Sequence, residues 1–225
     1  MQKTMIRRFT SDKIAWIYEC SSNKLLANYR RGKLNNTDFS IISNNCWGGH
    51  VYRHFGLSYT SPTVGLYFYA DEYIKFLSEL EHNLNSQLQF IDCSESKYAD
   101  DLKRKGQENI PIGLLNGSIE VMFLHYATKE EAYEKWMRRL ERINYDNLIV
   151  KFSEMNRCSR EHLEAFDNLP FKKKVVFLAN TDKDIKCGIP IKRYTNGNEV
   201  TDDTTYFDKY LDLVKLINGE TVSNV

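Results

Sequence analysis

Residues 39–50 read "FSIISNNCWGGH". The first four, Phe39-Ser40-Ile41-Ile42, form a short apolar run of strand length and composition. The next eight carry two asparagines, Cys46, Trp47, the Gly48-Gly49 pair and His50. Asparagine and glycine suit a turn, because they cap backbone groups and accept positive φ. A plain turn has no use for Cys and Trp. The stretch therefore reads as a strand that ends in a ligand-binding loop and feeds a short helix, "HVYRHFGL".

Outward from this stretch, strand-like runs alternate with helical periodicity. "TVGLYF" (63–68), "LQFIDC" (88–93), "LIVKFS" (148–153) and "KKVVFLAN" (173–180) read as strands. "IPIGLLNGSIEVMFLHY" (110–126) reads as a hairpin with Asn116-Gly117 at its turn. "ADEYIKFLSELEHNL" (70–84), "SREHLEAFDNL" (159–169) and "TYFDKYLDLVKLING" (205–219) read as helices. The clearest helix is "TKEEAYEKWMRRLERI" (128–143), where Thr128 and Glu131 have capping-box spacing. This order predicts an α/β protein: a three-layer α/β/α sandwich with a mixed, mostly parallel sheet. An N-terminal helical segment over residues 1–34 precedes a single α/β domain over 35–225; residues 12–33 read as one helix or two short ones, with Gly32 as the stop.

The bulk numbers narrow the function. With 31 basic against 30 acidic residues in 225, the net charge of +1 argues against a nucleic-acid binder that relies on overall charge. Five scattered cysteines without a CxxC argue against a disulfide framework or a zinc knuckle and fit a reducing compartment. The N-terminus lacks the apolar core of a secretory signal, and no apolar run is long enough to span a bilayer. The expectation is a soluble cytoplasmic protein. Walker, GxSxG, HExxH and GxGxxG motifs are absent from the sequence. No metal site is expected, and no cofactor is indicated.

In open α/β sheets, ligands sit beyond the carboxyl ends of the strands. That rule selects Asn44–His50, Asp92–Glu95, His125-Tyr126, Ser153–Asn156 and Asn180–Asp184. Cys46 and His50 have the spacing of a nucleophile and a base on one helix edge; the plainer reading is a packed thiol and a polar first-turn residue. Asn44, Asn45, Gly48 and Gly49 offer groups for sugar hydroxyls, a phosphate or an oxyanion, with Trp47 beside them; they would equally serve as turn caps. His125 is placed for a general base, or for a hydrogen-bonded core histidine. Arg142 and Asn144 near a helix end are ligand candidates, whereas Arg138 and Arg139 read as solvated or paired with Glu134 and Glu141. Asp92 and Tyr126 complete the candidate set. Asp182-Lys183-Asp184 has the pattern of a metal–nucleotide grip but reads as a loop.

Three stretches carry a resemblance: "FSIISNNCWGGHVYRHFGLSYTSPTVGLYF", "PIGLLNGSIEVMFLHYATKEEAYEKWMRRLERINYDNLIVKF" and "LPFKKKVVFLAN". They resemble domain-of-unknown-function family 1919, a bacterial family, over roughly residues 35–217. The matching positions are Ser43, Asn44, Asn45, Cys46, Trp47, Gly48 and Gly49, then His125, Tyr126, Trp136, Arg142, Ile143 and Asn144. Members are often labelled as exopolysaccharide or capsule biosynthesis proteins, sometimes as acetyltransferases. The resemblance implies a transferase, acyl or glycosyl, acting on a sugar or activated sugar in surface-polysaccharide synthesis. The competing class is a non-catalytic carbohydrate- or anion-binding protein of the same pathway. Implied partners are a sugar or sugar phosphate and membrane-bound biosynthetic proteins, without nucleic acid.

Overall fold

The structure is a computed structural model that describes residues 26–179, 184–194, 197–205 and 207–220. The helix expected across 12–33 lies mostly outside these residues. Within them, residues 26–31 are helical and end at Gly32, whose N–H bonds the Asn28 carbonyl at 3.0 Å.

Four parallel strands form the main sheet in the order β1 (Ser40–Ser43), β5 (Leu148–Ser153), β6 (Lys173–Leu178), β7 (Gly188–Pro190). Successive side chains of a strand point to opposite faces, and both faces of this sheet are buried. Ile42, Val150, Phe152, Val176 and Leu178 pack beneath three helices, α2 (Ala70–Ser78), α5 (Lys129–Leu140) and α6 (Arg160–Asn168). Ile41, Ile149, Val175 and Phe177 face α1 (Trp47–His54) and α7 (Leu213–Asn218). The α/β class read from the alternation of elements is the class observed, with helices on both faces of the sheet.

The hairpin does not join that sheet. β3 (Ile112–Leu115) and β4 (Ile119–Met122) pair with β2 (Leu88–Ile91) in a separate antiparallel sheet of order β2-β3-β4. "LQFIDC" thus belongs to the small sheet, and the main sheet is parallel throughout. Asn116 and Gly117 both have positive φ, 51° and 64°, as a tight hairpin turn demands. "TVGLYF" forms no strand and contributes only an antiparallel bridge from Tyr67 to Met122.

Local chemistry accounts for the helix ends. Thr128 accepts from the Glu131 N–H at 3.1 Å and caps α5. Asp212 caps α7, and Gly219 closes it with φ 77°. The expected helix over 70–84 is two: Glu79, at φ −134° and ψ 52°, separates α2 from α3 (Leu80–Asn85). The expected C-terminal helix shrinks to α7, after a single 3₁₀ turn at Phe207–Lys209. A further helix, α4 (Ala99–Arg104), and the short β7 carry no periodicity that marks them in sequence.

Candidate functional site

There is no free loop between β1 and α1. Cys46 already has helical geometry, φ −68° and ψ −3°, and the helix begins at Trp47. Its first amides are satisfied inside the protein. Trp47 N–H bonds Asn45 Oδ1 at 3.1 Å, Gly48 N–H bonds Ser43 Oγ at 3.3 Å, and Gly49 N–H bonds the Cys46 carbonyl at 3.1 Å. The positive end of the helix is therefore already occupied by side-chain and carbonyl oxygens. The glycines serve packing instead: a Cβ on Gly48 would lie 3.1 Å from Ile41 and 3.2 Å from Ser43, and one on Gly49 would lie 3.0 Å from Val64.

Helical spacing then divides the motif. Cys46, Gly49, His50 and Arg53, at i, i+3, i+4 and i+7, face a cleft. Trp47, Gly48, Val51, Tyr52 and Phe55 face the core.

The cleft has two lobes that share Cys46, His50 and His125. The first, about 370 Å³, is walled by Arg53, Tyr59, Tyr126, Lys135 and Arg139, together with the backbone at Val64 and Gly65. No carboxylate lines it among the described residues. Arg139 donates to the Val64 carbonyl at 2.9 Å and to the Tyr126 hydroxyl at 2.6 Å, and its guanidinium lies 5.1 Å over the Tyr59 ring. Tyr126 in turn donates to the Val64 carbonyl. Its ring lies 3.2 Å from where a Cβ on Gly65 would stand, so that glycine, at φ 84°, keeps room for it. Lys135 pairs with Glu131 at the rim. Arg53 is exposed, with no ion-pair partner among the described residues.

The second lobe, about 400 Å³, runs past Asn45 to the segment after β5 and to residues 201–204, with Tyr67, Lys105, Gln107 and Leu124 opposite. Below it lies a buried ionic cluster. Lys151 Nζ donates to Asp203 and, at 3.0 Å, to Asn45 Oδ1; Asn45 Nδ2 reaches both Asp203 oxygens at 2.9 Å; Ser153 donates to Asp203 as well. Lys151 and Asp203 are both almost wholly buried, and the ammonium sits 5.7 Å from the Trp47 ring. Burial pulls the Lys151 pKa down, and Asp203 counters that pull. An isolated charge there would be prohibitive, so each member makes the other tolerable. Together they tie the wall formed by 201–204 to the start of α1.

Chemical states follow from this geometry. Burial, then the Asp203 charge, pushes the Cys46 thiol up to about 11, and its Sγ lies 3.9 Å from the Leu66 carbonyl. Near neutrality it is a protonated thiol, not a poised nucleophile. Burial and the neighbouring Arg53 lower the His50 pKa, so its imidazole is neutral at pH 7 and able to accept a proton. His125 stands exposed on the facing wall, its backbone N–H donating to the Gly65 carbonyl at 3.0 Å.

The other sequence candidates fall elsewhere. Asn44 is buried and straps β1 to β5, accepting from Ser153 N–H at 3.1 Å and donating to the Ser153 carbonyl at 3.3 Å. Trp47 is fully buried, edge-on to Phe177 and Phe207. Asp92 caps the 3₁₀ turn Cys93–Glu95 and pairs with Lys129 at 2.9 Å, outside the cleft lining. Asn144 bonds Asp38 and the Asp146 and Asn147 amides, so it marks the amino ends of β1 and β5, opposite to the cleft; Arg142 lies exposed just before it. Asp182 and Lys183 lie outside the described residues; Asp184 is exposed. Among the described residues no His, Cys, Asp and Glu group could hold a metal ion.

Arg139, read from sequence as solvated or paired with a neighbouring glutamate, is instead buried on the Val64 carbonyl and the Tyr126 hydroxyl; Arg53, Lys135, Tyr59, Lys151 and Asp203 were not singled out from sequence. For Lys151 a signal existed. A lysine inside the apolar strand "LIVKFS", two residues from Ser153 and so on the same face, calls for a buried partner. A larger cavity of about 590 Å³ opens at the amino ends of β6 and β7. Its Lys173 and Lys174 are engaged by helix-end carbonyls at Ile217, Phe166, Asp167 and Leu169. It reads as helix capping.

An α/β protein with a two-lobed polar cleft at the carboxyl edge of a parallel sheet is the class these features define. Within that class, the chain belongs to the family described as Domain of unknown function (DUF1919), which matches residues 18–218. It is similar to an uncharacterised protein of Haemophilus influenzae, 29% identical over 194 residues that cover 83% of this chain and 87% of that protein. Among the described residues, no helix is long and apolar enough to cross a membrane.

Proposed function

We propose that the first lobe binds the anionic group of a sugar derivative, and that the protein transfers a group to or from that sugar. One observation carries the reading: a ligand-sized lobe lined by Arg53, Arg139, Lys135 and two histidines, with no carboxylate among its described lining residues. Guanidinium groups suit phosphate or carboxylate oxygens through paired hydrogen bonds. Tyr59 and Tyr126 add apolar faces with hydroxyl edges.

In the transfer, an attacking hydroxyl gives its proton to the neutral His50 as its oxygen bonds the transferred centre. The bond from that centre to the leaving atom breaks, an oxygen in a glycosyl transfer and the thioester sulfur when acetyl-CoA is the donor, and His125 is placed to supply the proton that atom needs. No electrons are gained or lost. An acyl and a glycosyl transfer both fit this balance. Cys46 serves here as packing, since its thiol stays protonated. Surface-polysaccharide synthesis, a cytoplasmic location and membrane-bound partners extend the same proposal, and rest on the resemblance alone.

A non-catalytic binder is the second reading. It is favoured by the lack of a hydrogen-bond partner on either imidazole among the described residues, so no third group orients them. Thermal-shift titration with phosphate, sulfate and sugar phosphates tests the anion lobe. Saturation at a hundred times Kd stabilises by about 2.7 kcal/mol. Arg53→Ala should weaken that binding about tenfold, while stability stays within about 0.5 kcal/mol. No stabilisation by any of these anions rejects the lobe assignment. His50→Gln and His125→Gln, assayed with nucleotide sugars and acetyl-CoA, separate the two readings. An enzyme keeps binding and loses turnover, whereas a binder has no turnover to lose.

A further inference from the structure

The second lobe differs from the first in every respect that decides what it can hold. Its two carboxylates are already engaged. Asp203 is saturated by Lys151, Asn45 and Ser153. Asp202 Oδ1 accepts from the Thr204 and Thr205 amides at 2.9 and 3.2 Å, and its other oxygen meets Arg193 at 3.2 Å. Lys105 lies over the Tyr67 and Tyr69 rings and 3.3 Å from Asn156 Oδ1. Lys105 is the one ammonium among the described lining residues, and with rings and an amide oxygen already against it, it offers an anion less than the three cations of the first lobe do.

What remains open is neutral. Gln107 accepts from the Tyr67 hydroxyl at 2.8 Å and keeps its amide N–H₂ without a partner among the described residues. The Thr201 hydroxyl has none among them either. Leu124 and Met155 supply apolar surface between these groups. Neutral amides and hydroxyls around an apolar floor match a ring that carries hydroxyls on its edge and C–H bonds on its faces.

The backbone at this lobe is also held in a costly shape. Asn156 and Arg157 follow the central strand β5 and both adopt left-handed φ, 54° and 64°. Non-glycine residues take this conformation at a cost, and two in succession need support from the surroundings. The support is visible. Asn156 O accepts from Ala70 N–H at 3.1 Å, Asn156 Nδ2 donates to the Phe68 carbonyl at 3.2 Å, and Arg157 pairs with Asp101 at 2.6 Å. The result places the Asn156 side chain in the cleft lining and keeps the Arg157 guanidinium outside it, over Tyr98. A glycine would make the same turn without strain. An asparagine there brings a side-chain amide to the lobe; with Oδ1 taken by Lys105 and one N–H by Phe68, its second N–H is the group left for a ligand.

We infer that the second lobe is the acceptor subsite, which seats a neutral polyhydroxylated molecule of monosaccharide size beside the anion of the first lobe, with Asn156 and Gln107 as its recognition groups. This rests on the reading of the first lobe as an anion site and adds the class of its co-substrate. His50 and His125 line both lobes, so a hydroxyl in one and a reacting centre in the other meet at the same pair.

The test is side-chain amide NMR on the ¹⁵N-labelled full chain, titrated with neutral monosaccharides (glucose, galactose, N-acetylglucosamine) and separately with inorganic phosphate. The Gln107 and Asn156 amide signals, assigned by Gln107→Glu and Asn156→Asp, should shift with at least one sugar and not with phosphate. Sugar affinity should be unchanged or raised when phosphate is saturating. Asn156→Gly keeps the left-handed turn without strain while removing the side-chain bonds to Phe68 and Lys105, so it should stay folded yet lose sugar affinity about tenfold. Phosphate shifting these two amides, competition between phosphate and sugar, or no response to any sugar at 100 mM would each overturn the acceptor subsite. Retained sugar affinity in Asn156→Gly would overturn the role of Asn156. Failure of phosphate alone to bind anywhere rejects the first-lobe reading instead, and it is seen in the absence of change at the Gly65 and His125 backbone amides.

Discussion

The two faces of α1 lie within a few ångströms of each other and are built to opposite rules. Toward the core stand Trp47, Gly48, Val51, Tyr52 and Phe55, all buried, with glycine chosen so that the helix can touch Ile41 and Ser43. Toward the cleft stand Cys46, Gly49, His50 and Arg53, the first and third half-buried, Gly49 buried and Arg53 exposed, presenting a thiol, an imidazole and a guanidinium. The ten positions 46–55 therefore hold two interleaved sets. The core set fixes where the helix sits, and the cleft set uses the position so fixed. A residue's place in the motif says little about its role until the helical phase is known.

The largest effect should come from the core face. Trp47→Ala removes a buried indole held edge-on between Phe177 and Phe207, and should cost about 3–5 kcal/mol in chemical denaturation. Trp47→Phe should cost clearly less, because the indole N–H has no partner to lose among the described residues. A loss under about 1 kcal/mol for Trp47→Ala would break the division of faces, since that is the range of a surface substitution.

Cys46 gives a smaller and purely chemical contrast. With its thiol at about 11 rather than 9, the thiolate fraction near neutrality falls about a hundredfold below that of an ordinary thiol. Iodoacetamide should label Cys46 slowly at pH 7.5, with a rate that keeps climbing past pH 10. Fast labelling at pH 7.5 would return Cys46 to the role of nucleophile.

The smallest effect separates two histidines one turn apart. His50 faces the cleft, whereas His54 packs on Phe55 and Phe207, where burial and Arg30 lower its pKa to about 4. Folded His54 stays neutral between pH 6.5 and 4 while the unfolded chain gains a proton there. Stability therefore falls as the pH drops through that window. His54→Gln should flatten part of this slope in urea titrations at several pH values. An unchanged slope would mean that His54 is more hydrated than its packing shows.

Much of the fold was legible because hydrophobic period and end signals are local. The strands at 40–43, 148–153 and 173–178, the Thr128 cap, the Asn116-Gly117 turn and the Gly219 stop all follow from neighbours in sequence. Glu79 splitting a periodic helix, and the hairpin leaving the main sheet, depend on packing between distant segments and left no local mark.

The site divides along the same line. The sequence by itself selected the motif after β1, the pair His125-Tyr126 and the segment after β5, because a strand-end rule needs only the element order. Tertiary structure decided which members turn outward. It sent Asn44, Trp47 and Gly48 inward, left Asp92, Arg142 and Asn144 outside the cleft, and brought in Arg139 across 75 positions to the Val64 carbonyl. It also paired Lys151 with Asp203, 52 residues away. Helical phase, charge pairing in a buried medium and the approach of remote segments are properties of the folded chain, and no stretch of letters contains them.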